Sequence, residues 1–203
     1  MIKAILFDFD GVLTIDKTGS QSIINYLVQK TGIKAELLKS SYYKHNKSLV
    51  YGKITHKDIW HEFCNDIGSN LDYGLLIEAF QNTSLDYEMI KFVKQLKKTY
   101  KIGMITDNKC DRIQEIINYH KLNSLFDVVS VSADYHSGKE EKIIFENTIL
   151  GLDVMPNESI FIDNKEKNLS IPHQMGMHTI LFDDENRNMT VFRETLLDLL
   201  LTK

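Results

Sequence analysis

From Lys101 onward, short apolar runs alternate with amphipathic stretches, the pattern of strands joined by helical crossovers in a parallel sheet. Ile102–Ile105, Val128–Val131, Ile160–Ile162 and Thr179–Phe182 read as strands, and the run from Ile2 to Phe7 reads as an opening one. Between them Ile113, Ile116 and Ile117 recur at helical spacing, as do Ile144 with Thr148 and, near the C terminus, Val191, Thr195 and Leu199. The pattern predicts an α/β fold whose core is a parallel sheet of at least five strands flanked by helices.

Residues from about Ser20 to Leu85 break that alternation. Ile23, Ile24, Leu27 and Val28 mark one helical face, Ile59, Trp60 and Phe63 a second, and Leu75, Leu76, Ala79 and Phe80 a third, with no strand between them. The expected organisation is a sheet domain formed by residues 1–16 and 85–203, interrupted by an all-helical domain over 17–84. Polar and small residues cluster at Thr14–Ser20 and Gln81–Asp86, which read as the hinges. Met89, Ile90, Val93 and Leu96 then return the chain to the second strand through a helix. Pro172 falls where the helix after the fourth strand should run, so that helix is expected to start late or bend.

Hydrophobic residues make up 43% of the 203 residues and charged ones 26%, the usage of an ordinary folded domain rather than a disordered or fibrous chain. The formal net charge of −4 gives no electrostatic reason for nucleic acid or an anionic membrane as partner. Cys64 and Cys110 stand far apart without metal-ligand spacing, which fits free thiols in a reducing compartment. The first residues already read as a strand rather than a signal peptide, and no apolar run approaches a membrane span. A cytoplasmic protein is expected, monomeric or weakly dimeric.

Candidate chemistry lies where the strands stop, since open parallel sheets gather ligand groups beyond their carboxyl ends. Asp8-Phe9-Asp10-Gly11-Val12-Leu13-Thr14 follows the first strand. Residues two apart in extended chain project to one side, so Asp8 and Asp10 address one ligand, and Gly11 lets the backbone turn away. Such a pair suits phosphoryl transfer if Asp8 attacks phosphorus beside a divalent cation while Asp10 shuttles a proton; it also suits a turn cap or a structural cation site.

The second strand ends in Thr106-Asp107-Asn108. These are donors and acceptors for a phosphate, or supply an N-cap to the next helix. Lys139 follows Gly138 after the third strand, placed to offset phosphate charge or to be solvated. Asp163-Asn164 closes the fourth, and Asp8, the Asp10 carbonyl and Asp163 form an oxygen set suited to magnesium, with an N-cap as the other reading of Asp163.

With those segments in that order, the sequence resembles the haloacid dehalogenase superfamily, in the branch with a helical cap after the first strand (phosphoglycolate phosphatase-like or beta-phosphoglucomutase-like). The run from Asp8 to Thr14 matches the first motif of that family, Ile105-Thr106-Asp107-Asn108 the second, Lys139 through Phe145 the third, and Phe161-Ile162-Asp163-Asn164 through Asn168 the fourth. Tyr51-Gly52-Lys53-Ile54-Thr55 and Trp60 resemble a recurrent stretch of the cap. The resemblance implies a Rossmann-like three-layer core with a cap. It further implies Asp8 as the nucleophile forming an aspartyl-phosphate, Asp10 as acid and base, Thr106, Asp107, Asn108 and Lys139 at the phosphate, and Mg2+ held by Asp8, Asp10 and Asp163. Asn164 stands where the family often has a second aspartate, which implies weaker magnesium binding, with Asn164 ligating or holding a metal-bound water.

Fold alone does not choose among phosphatase, phosphomutase and dehalogenase. Asp10 favours cleavage of a phosphate ester, whose alkoxide leaving group gains from protonation as a halide does not. The expected activity is therefore magnesium-dependent hydrolysis of a small phosphorylated metabolite, with a phosphomutase or a noncatalytic phosphate-binding module as the alternatives. In the cap, Tyr42, Tyr43, Lys44, His45 and Lys47 form either a cationic face toward the substrate or, as the favoured reading, a solvated helix face.

Overall fold

In the computed structural model, which describes residues 1–201, the apolar runs become β1 (Ala4–Phe7), β2 (Lys101–Thr106), β3 (Val128–Val131), β4 (Ser159–Asp163) and β5 (His178–Leu181). Residues 202–203, the last of the expected sheet domain, lie outside the described residues. The strands pair side by side, all parallel, in the order β3-β2-β1-β4-β5. Every residue of β1 and β4 is buried, as a parallel sheet covered on both faces requires. Alternate residues serve opposite layers. Ile5, Phe7, Ile102, Met104, Ile160 and Ile162 join the larger core, while Ala4, Leu6, Ile105 and Phe161 pack with Ile144 and Phe145 on the other face.

Four helices fill the segment after β1: α1 (Gly19–Thr31), α2 (Ala35–Val50), α3 (His56–Asp66) and α4 (Gly74–Gln81). The sequence pattern marked three of these faces. α2 lacks a clean apolar stripe because only Leu38, Ser41, Tyr42 and Leu49 of its 16 residues are buried. Thr18 caps α1, and Thr55 with Asp58 forms a reciprocal capping box on α3. The two connections that join this helical insertion to the sheet run beside each other. Thr14 and Leu85 form an antiparallel bridge, extended by hydrogen bonds from Ile15 N to Ser84 O (2.8 Å) and from Asp86 N to Leu13 O (2.9 Å).

The chain then continues through α5 (Tyr87–Leu96), capped by Asp86, and reaches α6 (Cys110–Tyr119) after β2. The short α7 (Ser132–Tyr135) follows β3, with α8 (Lys142–Gly151) beyond it. After β4, a 3-10 turn over Glu166–Leu169 precedes α9 (Ser170–Gln174), which places Pro172 in the first turn of a late, short helix as expected. α10 (Met189–Leu201) closes the described chain. Among the described residues, no helix is long and apolar enough to cross a membrane.

Candidate active site

Because β1 lies between β2 and β4, with Phe7 in register with Met104 and Ile162, the carboxyl ends of the three central strands bring Asp8, Thr106 and Asp163 together. Lys139 arrives from the turn before α8 and bridges two of them, its Nζ lying 2.9 Å from Asp8 Oδ1 and 2.6 Å from Asp163 Oδ2. All three side chains are buried. Burial pushes the Asp8 carboxyl up to about 7 against the pull of Lys139. Burial works equally against the Lys139 ammonium, but Asp8 and Asp163 outweigh it and hold its pKa above the ordinary range.

The two oxygens of Asp8 are unequal. Oδ1 accepts from Lys139 and from the Phe9 N–H at 2.7 Å, while Oδ2 has no protein partner among the described residues and Asp8 lines a cleft of about 240 Å³. One oxygen is anchored and the other is open. Asp163 is more heavily held, accepting from Lys139, Asn168 and the Lys165 N–H.

Asp10 sits differently. Arg112 NH1 and NH2 each donate to it at 2.9 Å in a bidentate pair, and its Oδ2 also accepts from Asn108 Nδ2 (2.8 Å) and the Gly19 N–H (3.0 Å). Arg112 was not anticipated, because it stands in the first turn of α6, six residues beyond Thr106, where no strand-end motif marks it. Neither Asp107 nor Asn108 caps α6, whose N-cap is Lys109 without a side-chain bond. Asp107 instead accepts the Lys139 N–H at 2.9 Å, and Asn108 is turned onto Asp10 and Thr106. The Thr106 hydroxyl accepts from Asn108 and its own proton has no protein acceptor among the described residues, leaving it free to donate into the cleft that it lines.

The donor set suits magnesium. Beside Asp8, the Asp10 carbonyl accepts no hydrogen bond among the described residues, and Asn164 Oδ1 is buried without a partner while its Nδ2 donates to Asp184 at 2.7 Å. Gly11, at φ 86°, keeps this corner open, since a Cβ there would stand 2.4 Å from Asn164 Nδ2. Among the described residues no three His, Cys, Asp or Glu side chains cluster as a metal site. Magnesium does not need such a cage, because it keeps several waters beside one or two carboxylates.

The insertion closes over these groups. Ser132 Oγ donates to Val50 O at 2.7 Å, His136 meets Tyr51 O at 2.8 Å, and Tyr51 donates to Glu140 across the gap. Deeper in, His56 of α3 lies 2.8 Å from Asp111 of α6 and 2.7 Å from the Tyr42 hydroxyl. Neither sequence reading of Tyr42 holds, since it is buried in this network rather than facing substrate or solvent. Tyr43, Lys44 and Lys47 are exposed, as on a solvated helix face, with Lys44 paired to Asp66, while His45 Nε2 has no hydrogen-bond partner among the described residues. The residues of α2 that reach the cleft are Asn46 and Val50, which meet Ser20 of α1 and Lys109 there.

Cys110 donates to Asp134 and its thiol is pushed up to about 12 by burial, so it is a poor nucleophile. It borders a larger groove of about 490 Å³ over Ile113, Ile117, Leu122 and Phe126 that holds none of the strand-end carboxylates Asp8, Asp10 and Asp163.

A family model described as haloacid dehalogenase-like hydrolase matches residues 5–182, and the chain belongs to that family. Its fold is shared by HAD family enzyme bt-2542 from Bacteroides thetaiotaomicron, solved with magnesium and inorganic phosphate (16% identity, TM-score 0.74, 95% of this chain and 100% of that one). It is shared also by a HAD phosphatase from Thermococcus onnurineus (20% identity, TM-score 0.67, 96% and 98% covered). The L-2-haloacid dehalogenase PA0810 aligns at 16% identity and TM-score 0.67 over 89% of this chain and 84% of its own. No curated protein matches the chain.

Proposed function

We propose that the chain is a magnesium-dependent phosphatase that hydrolyses a small phosphorylated metabolite through an aspartyl-phosphate on Asp8, with residues 17–84 acting as a cap over a core of 1–16 and 85–203. The observation that carries this reading is the asymmetry of Asp8, with one oxygen anchored by Lys139 and the Phe9 N–H and the other open to the cleft. Bound magnesium, held by Asp8, the Asp10 carbonyl and Asp163 with Asn164 at its side, would neutralise charge on the phosphoryl group.

The residues of the chain supply the rest. Lys139 and the Thr106 hydroxyl hold the phosphoryl oxygens, and Asp8 Oδ2 attacks phosphorus as the ester oxygen departs. Asp10 protonates that oxygen and then takes a proton from the water that opens the aspartyl-phosphate. In the structure Asp10 Oδ2 accepts from Arg112, Asn108 and the Gly19 N–H, whereas Oδ1 accepts only from Arg112, so Oδ1 is the oxygen with a lone pair left for the proton. Asp10 also separates this reading from dehalogenation, which has no alkoxide to protonate. Free Cys64 and Cys110 suit a reducing cytoplasm.

The test is phosphate release from an aryl phosphate and a panel of phosphorylated metabolites, with magnesium, with chelator, and with Asp8→Asn. Turnover abolished by both chelator and Asp8→Asn supports the proposal. Absence of turnover across the whole panel, or turnover that survives Asp8→Asn, overturns it.

A further inference from the structure

The loop between β5 and α10 carries a carboxylate with no part in the chemistry of the strand ends. β5 lies beside β4 with Leu181 in register with Asp163, and the Phe182 N–H donates to Asp163 O at 2.9 Å, so the chain leaves the sheet next to Asn164. Asp183 then turns it, accepting the Glu185 and Asn186 N–H groups at 3.0 Å each. Arg187 pins the far side of the turn, donating to the Gly11 and Val12 carbonyls at 2.8 and 3.0 Å and to Asp86 at 2.6 Å. Held at both ends, the loop sets Asp184 against Asn164.

An ionised carboxylate only accepts hydrogen bonds, so Asp184 decides which way the Asn164 amide faces. Its Oδ2 takes the Asn164 Nδ2 proton at 2.7 Å, and the Asn164 Oδ1 thereby turned away is buried without a partner among the described residues. Reversing the amide would set one acceptor against another. The second oxygen of Asp184 faces Lys17, whose Nζ lies 3.4 Å from Oδ1, and the carboxylate is only 15% exposed. A buried polar atom with no partner is costly to keep, and an amide oxygen next to Asp163 is a hard donor of the kind magnesium takes.

We propose that Asp184 is a positioning residue for magnesium that acts through Asn164. It keeps Oδ1, rather than Nδ2, available to the ion, and by taking the Nδ2 proton it makes that oxygen a stronger donor. The negative charge that residue 164 lacks is supplied one hydrogen bond farther out. This role rests on the magnesium of the phosphatase reading, but its test reads binding rather than turnover.

The test is a double-mutant cycle. The full chain, Asp184→Asn, Asn164→Asp and the double variant are titrated with magnesium chloride by calorimetry at fixed ionic strength, with thermal melts to check that each is folded. Losing a hydrogen-bond partner of a metal ligand ordinarily weakens binding by about 10–100-fold, and Asp184→Asn is expected in that range, because an asparagine there can present either end of its amide to Asn164. With Asn164→Asp already in place, the same change should cost less than about threefold, since an aspartate presents an oxygen whichever way it turns. Asp184→Ser, which also frees the amide, gives the same reading should Asp184→Asn not fold. A carboxylate that acts only as nearby charge would weaken binding equally in both backgrounds, and one that acts only on the fold would lower Tm and leave the affinity unchanged. Either result overturns the proposal, as does a wild-type chain that binds no magnesium. The expected coupling without turnover of any ester would leave Asp184 in its role and remove the phosphatase reading. Turnover abolished by chelator, with magnesium affinity unmoved by Asp184→Asn, would do the reverse.

Discussion

The bidentate pair between Asp10 and Arg112 gives a measurable prediction. The Arg112 side chain is fully buried and that of Asp10 keeps 12% exposure, so removing either partner leaves the other charged in a site that water barely reaches. Breaking a buried pair in this way costs about 3–5 kcal/mol, and the residual exposure of Asp10 puts Arg112→Met toward the lower end. Near 200 residues, each kcal/mol moves Tm by about 2–4 °C, so Arg112→Met, at about 3 kcal/mol, should lower it by about 6–12 °C. Asp10→Asn should cost a similar amount, since the guanidinium loses its charged acceptor. The double variant carries no unpaired charge and should recover at least about 1.5 kcal/mol relative to the sum of the single costs. Urea unfolding, followed by circular dichroism and by fluorescence of the single tryptophan, Trp60, would measure this. Coincident transitions are needed to place all four proteins on one scale. Additive costs to within about 0.5 kcal/mol would refute the reasoning, because the pair would then contribute nothing as a pair.

Gly52→Ala should unseat the insertion: Gly52 has φ 62°, and a Cβ there would stand 2.0 Å from the Ala133 carbonyl oxygen, so a Tm drop of several degrees with loss of turnover is expected by thermal melting and phosphate release. Lys109→Met should stabilise the free protein; displacement from 10.5 to about 7 sets a ceiling of about 5 kcal/mol at about 1.4 kcal/mol per pH unit. A depressed lysine pKa weakens the fold fully below pH 7 and not above about 10.5, so urea unfolding across pH should show the gain shrinking through that window. Burial lowers the pKa of His56 despite its bond to Asp111, so the unfolded chain takes up that proton first. Stability should fall as pH drops through about 6.5, and the difference between wild type and His56→Gln, measured by thermal melts from pH 8 to pH 5, should change in that interval.

The sheet was legible because its strands are buried on both faces, and a run such as Ala4 to Phe7 has few other homes in a folded chain. Asp8 and Asp163 were legible for the related reason that a carboxylate ending an apolar run needs a purpose. Asp10 was visible too, but its partner was not, since Arg112 lies on a helix whose rotation about its axis no strand-end motif specifies. Lys109 and Asn46 were harder still. Lys44, a neighbour that the composition of the segment marks, is paired with Asp66, a partner that only packing reveals. Side chains left unmatched by the fold are found only after the matched ones are known.

The bridge between Thr14 and Leu85 makes the insertion a separable part of the chain. To the sheet, everything between those residues is a closed loop whose two ends already touch. Lengthening such a loop is inexpensive, about 0.6 kcal/mol for each doubling. Exchanging the helices that carry Ser20 and Asn46 for others of different length should therefore leave the strands that carry Asp8, Thr106 and Asp163 undisturbed.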